Sequence, residues 1–262
     1  MQFTPEHLES YHRDGYVVVR EFFSKKEVEL LYRVATTDDV ITSKSYDRTD
    51  AAGLKTKLAL WYALDESIYS KFARSERIVN AVEQILDGKA AHYHSKLMQK
   101  EPRTGGAWEW HQDYGYWYKN NGFLLPEMLS VITALTPATK ENGCLQMIRG
   151  SHKMGRVEHG FSGEQVGADM EKVTEALKIM PLDYLEMGAG DTAFFHCNVL
   201  HASAANLSDH PRWSIITAYN LASNKPYKDV HTSSYTPIEP FKGDLLTEEV
   251  VSISDQADFL IK

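Results

Sequence analysis

The order of apolar and polar positions divides this chain into two unlike stretches. Up to about residue 90 the pattern is mostly helical, with one strand inserted. Thr4-Pro5-Glu6 joins a capping hydroxyl to a proline at the first helical position, which predicts a short helix to about Arg13. Gly15 ends it, and Tyr16-Val17-Val18-Val19 is a compact β-branched run that predicts a strand. Ser24 and Glu27 form a capping box, after which Val28, Leu30, Leu31 and Val34 fall on one helical face. A third helix is predicted from about Ser75 to Leu86, where Asp87-Gly88 stops it.

From about Ala91 the pattern changes. AHYHSKLMQK, LLPEMLSVITALT, GCLQMIRGS, LEMGAGDTAFFH and RWSIITAYNLA are short strand-like runs. Turns separate them at Pro102–Gly106, Glu141-Asn142-Gly143 and Gly188–Asp191. Short strands at this spacing predict a β-sandwich or jelly roll rather than an α/β fold. An insertion near 160–180 interrupts the run, with a helix predicted around Asp169–Val173. There is no internal repeat and no low-complexity linker. The economical division is one domain over 1–262: a mostly helical flank at 1–90, a β core at 91–225 and an extension at 226–262. The segment NKPYKDVHTSSYTPIEP in that extension is loop-like and a candidate cover for a pocket.

Composition narrows the function classes. Of 262 residues, 43% are apolar and 24% charged, enough to bury a full core. A net charge of −8 with no basic stripe argues against a nucleic-acid partner. Two cysteines outside any Cys-x-x-Cys pair exclude a thiolate zinc site and suit a reducing compartment. No run reaches the roughly 18 apolar residues of a membrane span, and the N-terminus has no signal-peptide layout, so a cytoplasmic location is expected.

Candidate chemistry sits in WEWHQDYGYW. Read as a strand, it sends His111 and Asp113 to the same side, an imidazole and a carboxylate aimed at one point. One further histidine would complete a facial triad with open positions, the ligand set of non-haem iron(II) oxygenases. His201, after an apolar strand, is the leading candidate, with His196, His152 and His210 as rivals. Arg212 on the next strand offers a planar fork that binds a carboxylate bidentately. The aromatics around the motif are core packing or a pocket wall. Trp108, three residues before His111, is expected to face away, while Tyr114 and Tyr116 are substrate-side candidates through closeness to Asp113. His94 is another, on the strand before the motif.

Four ordered motifs carry a resemblance: WHQD, ENGCLQMIRGSH, GAGDTAFFHCNVLHASAAN, and Arg212 through Tyr219. With GYVVVREFFSKKEVELL near the N-terminus, the chain resembles the phytanoyl-CoA dioxygenase family over nearly its whole length. The resemblance implies a mainly β fold with flanking helices, the double-stranded β-helix or cupin-like jelly roll. It also implies an Fe(II)- and 2-oxoglutarate-dependent dioxygenase that uses O2 to hydroxylate a C–H bond of a small molecule, releasing succinate and CO2. Carried over by position, His111, Asp113 and His201 are the metal ligands, and Arg212 with Ser203 meets the distal carboxylate of 2-oxoglutarate. Lys57 and Lys96 are further co-substrate candidates, and Ile132 stands where some relatives have a tryptophan. Asp113 implies oxygenation rather than halogenation, since related halogenases carry a small residue there. The competing readings are a cupin-type metal dioxygenase without 2-oxoglutarate and a catalytically silent metal- or ligand-binding β-helix. Neither substrate identity nor oligomeric state is readable.

Overall fold

The computed structural model describes residues 2–162, 164–229, 231–232 and 234–260. Its elements begin with α1 (Pro5–Asp14), β1 (Tyr16–Val19), α2 (Lys25–Thr37), α3 (Asp39–Lys44), β2 (Tyr46–Thr49), β3 (Lys55–Trp61), α4 (Ile68–Ala73), α5 (Glu76–Leu86) and β4 (Ala90–Lys100). Next come β5 (Trp108–His111), the one-turn helix α6 (Asp113–Tyr116) continued by a π turn (Trp117–Asn121), β6 (Met128–Ala134), β7 (Leu145–Ile148), β8 (His159–Ser162) and β9 (Gln165–Ala168). The order closes with α7 (Met170–Ile179), β10 (Leu182–Leu185), β11 (Thr192–His196), β12 (His201–Ser203), β13 (Arg212–Leu221) and β14 (Thr236–Pro237).

Two antiparallel sheets carry the fold. The larger runs β1-β11-β6-β13-β4-β3-β2, with β14 added against β4, and the smaller runs β10-β7-β12-β5. Alternation along the central strands sorts their side chains into two cores. Leu129, Val131, Phe194 and Ile215 join the helices α2, α4 and α5 in one apolar cluster, while Ile132, Ala193, Phe195 and Ile216 meet Leu145 and Met147 of the small sheet in another. The central strands are thus buried on both faces, which is why β6 reads MLSVITA without polar alternation. This is the double-stranded β-helix expected from the sequence, with α2, α4 and α5 against the large sheet and α7 packed with Ile148 of the small one.

The first 90 residues are more strand-rich than expected. β2 and β3 form a hairpin that extends the large sheet beyond β4. Their polar residues, which hid them from a periodicity reading, lie at the sheet's edge. The C-terminal extension returns to the same sheet: Leu260 N–H donates to the Leu60 carbonyl at 2.9 Å, and β14 pairs with β4. Within the proposed cover segment, Val230 and Ser233 lie outside the described residues. Thr232, between them, accepts the Tyr93 hydroxyl at 3.0 Å. Among the described residues no helix is long and apolar enough to cross a membrane.

Glu27 ties three of these pieces together. It completes the α2 capping box with Ser24, whose backbone N–H and hydroxyl both donate to Oε2 at 2.8 Å. It also accepts from Arg77 of α5, which donates to the Phe22 carbonyl at 3.1 Å and lies 4.6 Å over the Phe23 ring. Burial alone would raise its pKa, but the Arg77 and Ser24 hydrogen bonds hold the carboxyl below the usual glutamate range. That contribution is complete above the ordinary glutamate value of about 4.3 and fades as pH falls through the lower folded value. Glu27→Gln is therefore expected to cost about 1–3 kcal/mol in urea denaturation at pH 7, with the gap to wild type closing on acidification toward pH ~3.

Candidate active site

His111 ends β5 and His201 begins β12, and the two stand opposite each other in antiparallel register. Their ring centroids are 4.0 Å apart. Asp113 arrives by a route the sequence reading missed. Gln112 is still extended (φ −111°, ψ 132°), but the strand has ended and Asp113 opens α6. A strand-to-helix corner, not the two-residue period of one strand, aims the carboxylate at the histidines. Its Oδ1 lies 3.6 Å from His111 Nε2 and 3.9 Å from His201 Nε2. All three donor atoms fall within 4.8 Å of one another.

Each of these three side chains is oriented from behind. His111 Nδ1 lies 2.7 Å from the Glu109 carbonyl and His201 Nδ1 2.9 Å from the Val199 carbonyl. A carbonyl only accepts, so both Nδ1 atoms carry the proton and both Nε2 atoms present a lone pair. The Ser130 hydroxyl donates to Asp113 Oδ2 at 2.7 Å, leaving Oδ1 toward the imidazoles. Burial, then the neighbouring His111, pushes His201 down to about 3. Burial opposes ionisation of Asp113, yet His111, His201 and Lys96 together hold its carboxyl well below the usual range. A neutral imidazole and an ionised carboxylate are the forms that bind a metal. Two histidines, one carboxylate and open positions fit Fe(II).

The corner itself is locked. The Gln112 side-chain amide donates to the Gly155 and Asn198 carbonyls, both at 2.8 Å, and accepts from Val157 N–H at 2.8 Å. Gln112 backbone N–H donates to His159 Nε2 at 2.8 Å. Gly115 lets α6 pass that ring, because a Cβ there would lie 2.0 Å from His159 Cε1. β5 is the outer strand of the small sheet, and Gln165 pairs with its free side: the amide accepts from Glu109 N–H at 2.9 Å and donates to the Ala107 carbonyl at 3.0 Å.

A cavity opens on the triad and is lined also by Arg212, Ser203, Lys96 and Ile132. Trp108 lines it too, contrary to the expectation that it faces away. A bulge explains this: His201 opposes His111 but Ser203 opposes Trp108, so β5 carries one extra residue and its parity shifts. Arg212, the first residue of β13, is buried, and Nη1 donates to the Gly143 carbonyl. Among the described residues its Nε meets no partner and it joins no ion pair. Gly143 takes a left-handed φ of +78°, and a Cβ there would lie 2.1 Å from the Ala204 carbonyl oxygen. Burial brings Arg212 down to about 10.

The structure does not bring every candidate to this cavity. Lys57 is exposed and shares a strand face with Ala59 and Trp61, which pack on the helix side. Tyr114 is swept into the core by the turn of α6, its hydroxyl donating to the Phe123 carbonyl at 3.2 Å, and Tyr116 is left on the surface. His94 stands on the same face of β4 as Lys96 and Met98 but beside the lining, against Tyr62, Tyr93 and Trp117. Burial holds it well below the usual imidazole range, and its Nδ1 has no partner among the described residues. Of the rival ligands, His196 turns its Nδ1 to Asn198 N–H at 3.0 Å, His152 reaches the His12 carbonyl at 3.2 Å, and His210 is exposed.

Sequence reasoning passed over Ser130, Gln112, His159 and Lys100. A serine inside the mostly apolar run MLSVITA was the available signal for Ser130; the other three gave none. Ser130→Ala is expected to leave Asp113 Oδ2 unpartnered and weaken metal binding about 10–100-fold with the fold intact, measured by metal titration and thermal denaturation.

Comparison with known proteins agrees with this geometry. A family model of phytanoyl-CoA dioxygenase (PhyH) matches residues 11–214. An ectoine dioxygenase from Stutzerimonas stutzeri is 27% identical over 235 residues, covering 84% of this chain and 77% of that one. An L-proline trans-4-hydroxylase from Streptomyces griseoviridis is 28% identical over 202 residues, covering 69% and 75%. The crystal structure of EctD from S. alaskensis with 2-oxoglutarate and 5-hydroxyectoine superposes with a TM-score of 0.72 at 20% identity, covering 93% and 89%. With the triad and the cavity arranged as described, the chain belongs to the phytanoyl-CoA dioxygenase (PhyH) family and is an Fe(II)- and 2-oxoglutarate-dependent dioxygenase.

Proposed function

We propose that His111, Asp113 and His201 hold the Fe(II), that Arg212 and Ser203 take the distal carboxylate of 2-oxoglutarate, and that the substrate is a small polar molecule. One observation carries the reading: a buried guanidinium with no carboxylate partner among the described residues faces the cavity that holds the triad. Removing such a charge from water costs several kcal/mol unless an anion meets it. A keto acid with a carboxylate at its far end supplies that anion while its other end reaches the metal. A cupin-type site without a keto acid, or a silent metal site, leaves Arg212 unexplained.

When bound, the iron would activate O2, with 2-oxoglutarate as the co-reductant, to oxidise an unactivated C–H bond, one oxygen atom going to the product alcohol and the other to succinate with release of CO2. The residues of the chain bind, orient and exclude water. Met98, Leu145, Phe195 and Ile216 make the remaining wall apolar, which strengthens the Arg212–carboxylate pair by lowering the local dielectric. Ile132 adds to that wall. Lys96, lowered by burial and held up by Asp113, supports an anionic group nearer the metal. The Asp113 carboxylate favours hydroxylation over halogenation.

The relatives named for ectoine and L-proline support a small polar substrate, as does the lack of a basic cluster for a CoA phosphate. Two free, buried cysteines support a reducing, cytoplasmic setting.

Anaerobic protein given Fe(II) and 2-oxoglutarate is expected to develop the visible charge-transfer band of the chelate; bound iron without a band would overturn the co-substrate reading. Arg212→Ala is expected to raise the Km for 2-oxoglutarate about 30-fold or more at unchanged iron content, measured by succinate release and metal analysis.

A further inference from the structure

Two buried cations, Arg212 in the cavity lining and Lys100 behind it, stand together with no carboxylate in ion-pair reach among the described residues. Lys100 ends β4 and lies opposite Arg212 in strand register. Lys100 is fully buried, and its Nζ donates to Ser203 Oγ at 2.7 Å, to the Ser203 carbonyl at 3.3 Å and to the Ala204 carbonyl at 2.6 Å. Three acceptors occupy all three ammonium donors. The carboxylate that acts on Lys100 from further off, Asp50, is engaged by the backbone N–H groups of Ala52, Leu54 and Ala107. Ser203 accepts from Lys100, so its own proton has to point elsewhere, and Ser203 lines the cavity.

We propose that Lys100 is a positioning residue for the dicarboxylate co-substrate. It fixes the Ser203 oxygen so that the hydroxyl donates into the cavity, and it sets a second positive charge behind Arg212 for one carboxylate. Lys100 itself does not touch the ligand, because its donors are spent on Ser203 and Ala204. Burial and then the adjacent Arg212 lower the ammonium's pKa, so an anion at this end favours the charged form of Lys100. The inference rests on the 2-oxoglutarate reading above.

The test compares 2-oxoglutarate with 2-oxopentanoate, which has the same keto-acid end but a methyl in place of the distal carboxylate. Binding of each is titrated by calorimetry to anaerobic, metal-loaded protein. Wild type is expected to prefer 2-oxoglutarate strongly. Lys100→Met is expected to weaken 2-oxoglutarate about tenfold or more while leaving 2-oxopentanoate and metal content unchanged. An unchanged preference, even with a lowered Tm, assigns Lys100 a purely structural role and overturns the proposal. Wild type that binds neither keto acid would instead overturn the co-substrate reading itself. Should Lys100→Met not fold, the wild type decides by 15N-lysine NMR with Zn(II) in the site. The Lys100 Nζ signal, told from Lys96 by a Lys96→Met variant, is expected to move with 2-oxoglutarate and not with 2-oxopentanoate. A signal that moves with both or neither overturns it.

Discussion

The pairing of β5 with β12 is the constraint on which the rest of the site depends. It sets His111 against His201 and so defines one point in space where two imidazole lone pairs meet. The carboxylate then has to be delivered to that point from outside the ladder. The locked corner at Gln112 does this, and a glycine at 115 is the condition for the corner to close against His159. The carbonyls of Glu109 in β5 and of Val199, in the turn just before β12, fix the tautomers, so the backbone around the pairing sets the chemical form of the two imidazoles as well as their positions.

Charge is distributed along the cavity in a way that suits an elongated anionic guest. The metal end gathers the carboxylate with neutral imidazoles. The other end gathers Arg212 and Lys100, both drawn from strand positions facing each other in β13 and β4. Between them the wall is apolar apart from Lys96, which lies toward Asp113. Such a separation is costly in an empty protein and favourable once a dianion spans it, which is how a binding site stores selectivity in its own instability.

Much of this was legible in the sequence, and what was not has physical causes. Caps and β-branched runs marked α1, β1, α2 and α5, and the jelly-roll core followed from short runs between turns. The triad and Arg212 were readable as residue types at suitable separations. The direction of Asp113 was not, because the end of β5 is decided by contacts of Gln112 with residues 155–159 and 198, far away in the chain. The parity of Trp108 failed at a bulge that only the partner strand reveals. Lys57 and Lys100 show the same limit from two sides. Both are lysines in strands, yet one points to solvent and the other is buried by acceptors more than 100 residues later.

The strand that carries His111 is only four residues long and has no neighbour beyond it in its sheet. An open edge of this kind is ordinarily a template for association with another chain. Here the Gln165 side chain stands in for the missing strand, giving a donor and an acceptor where a backbone would give them. The strand that carries His111 can therefore remain short and peripheral without inviting aggregation through the same edge.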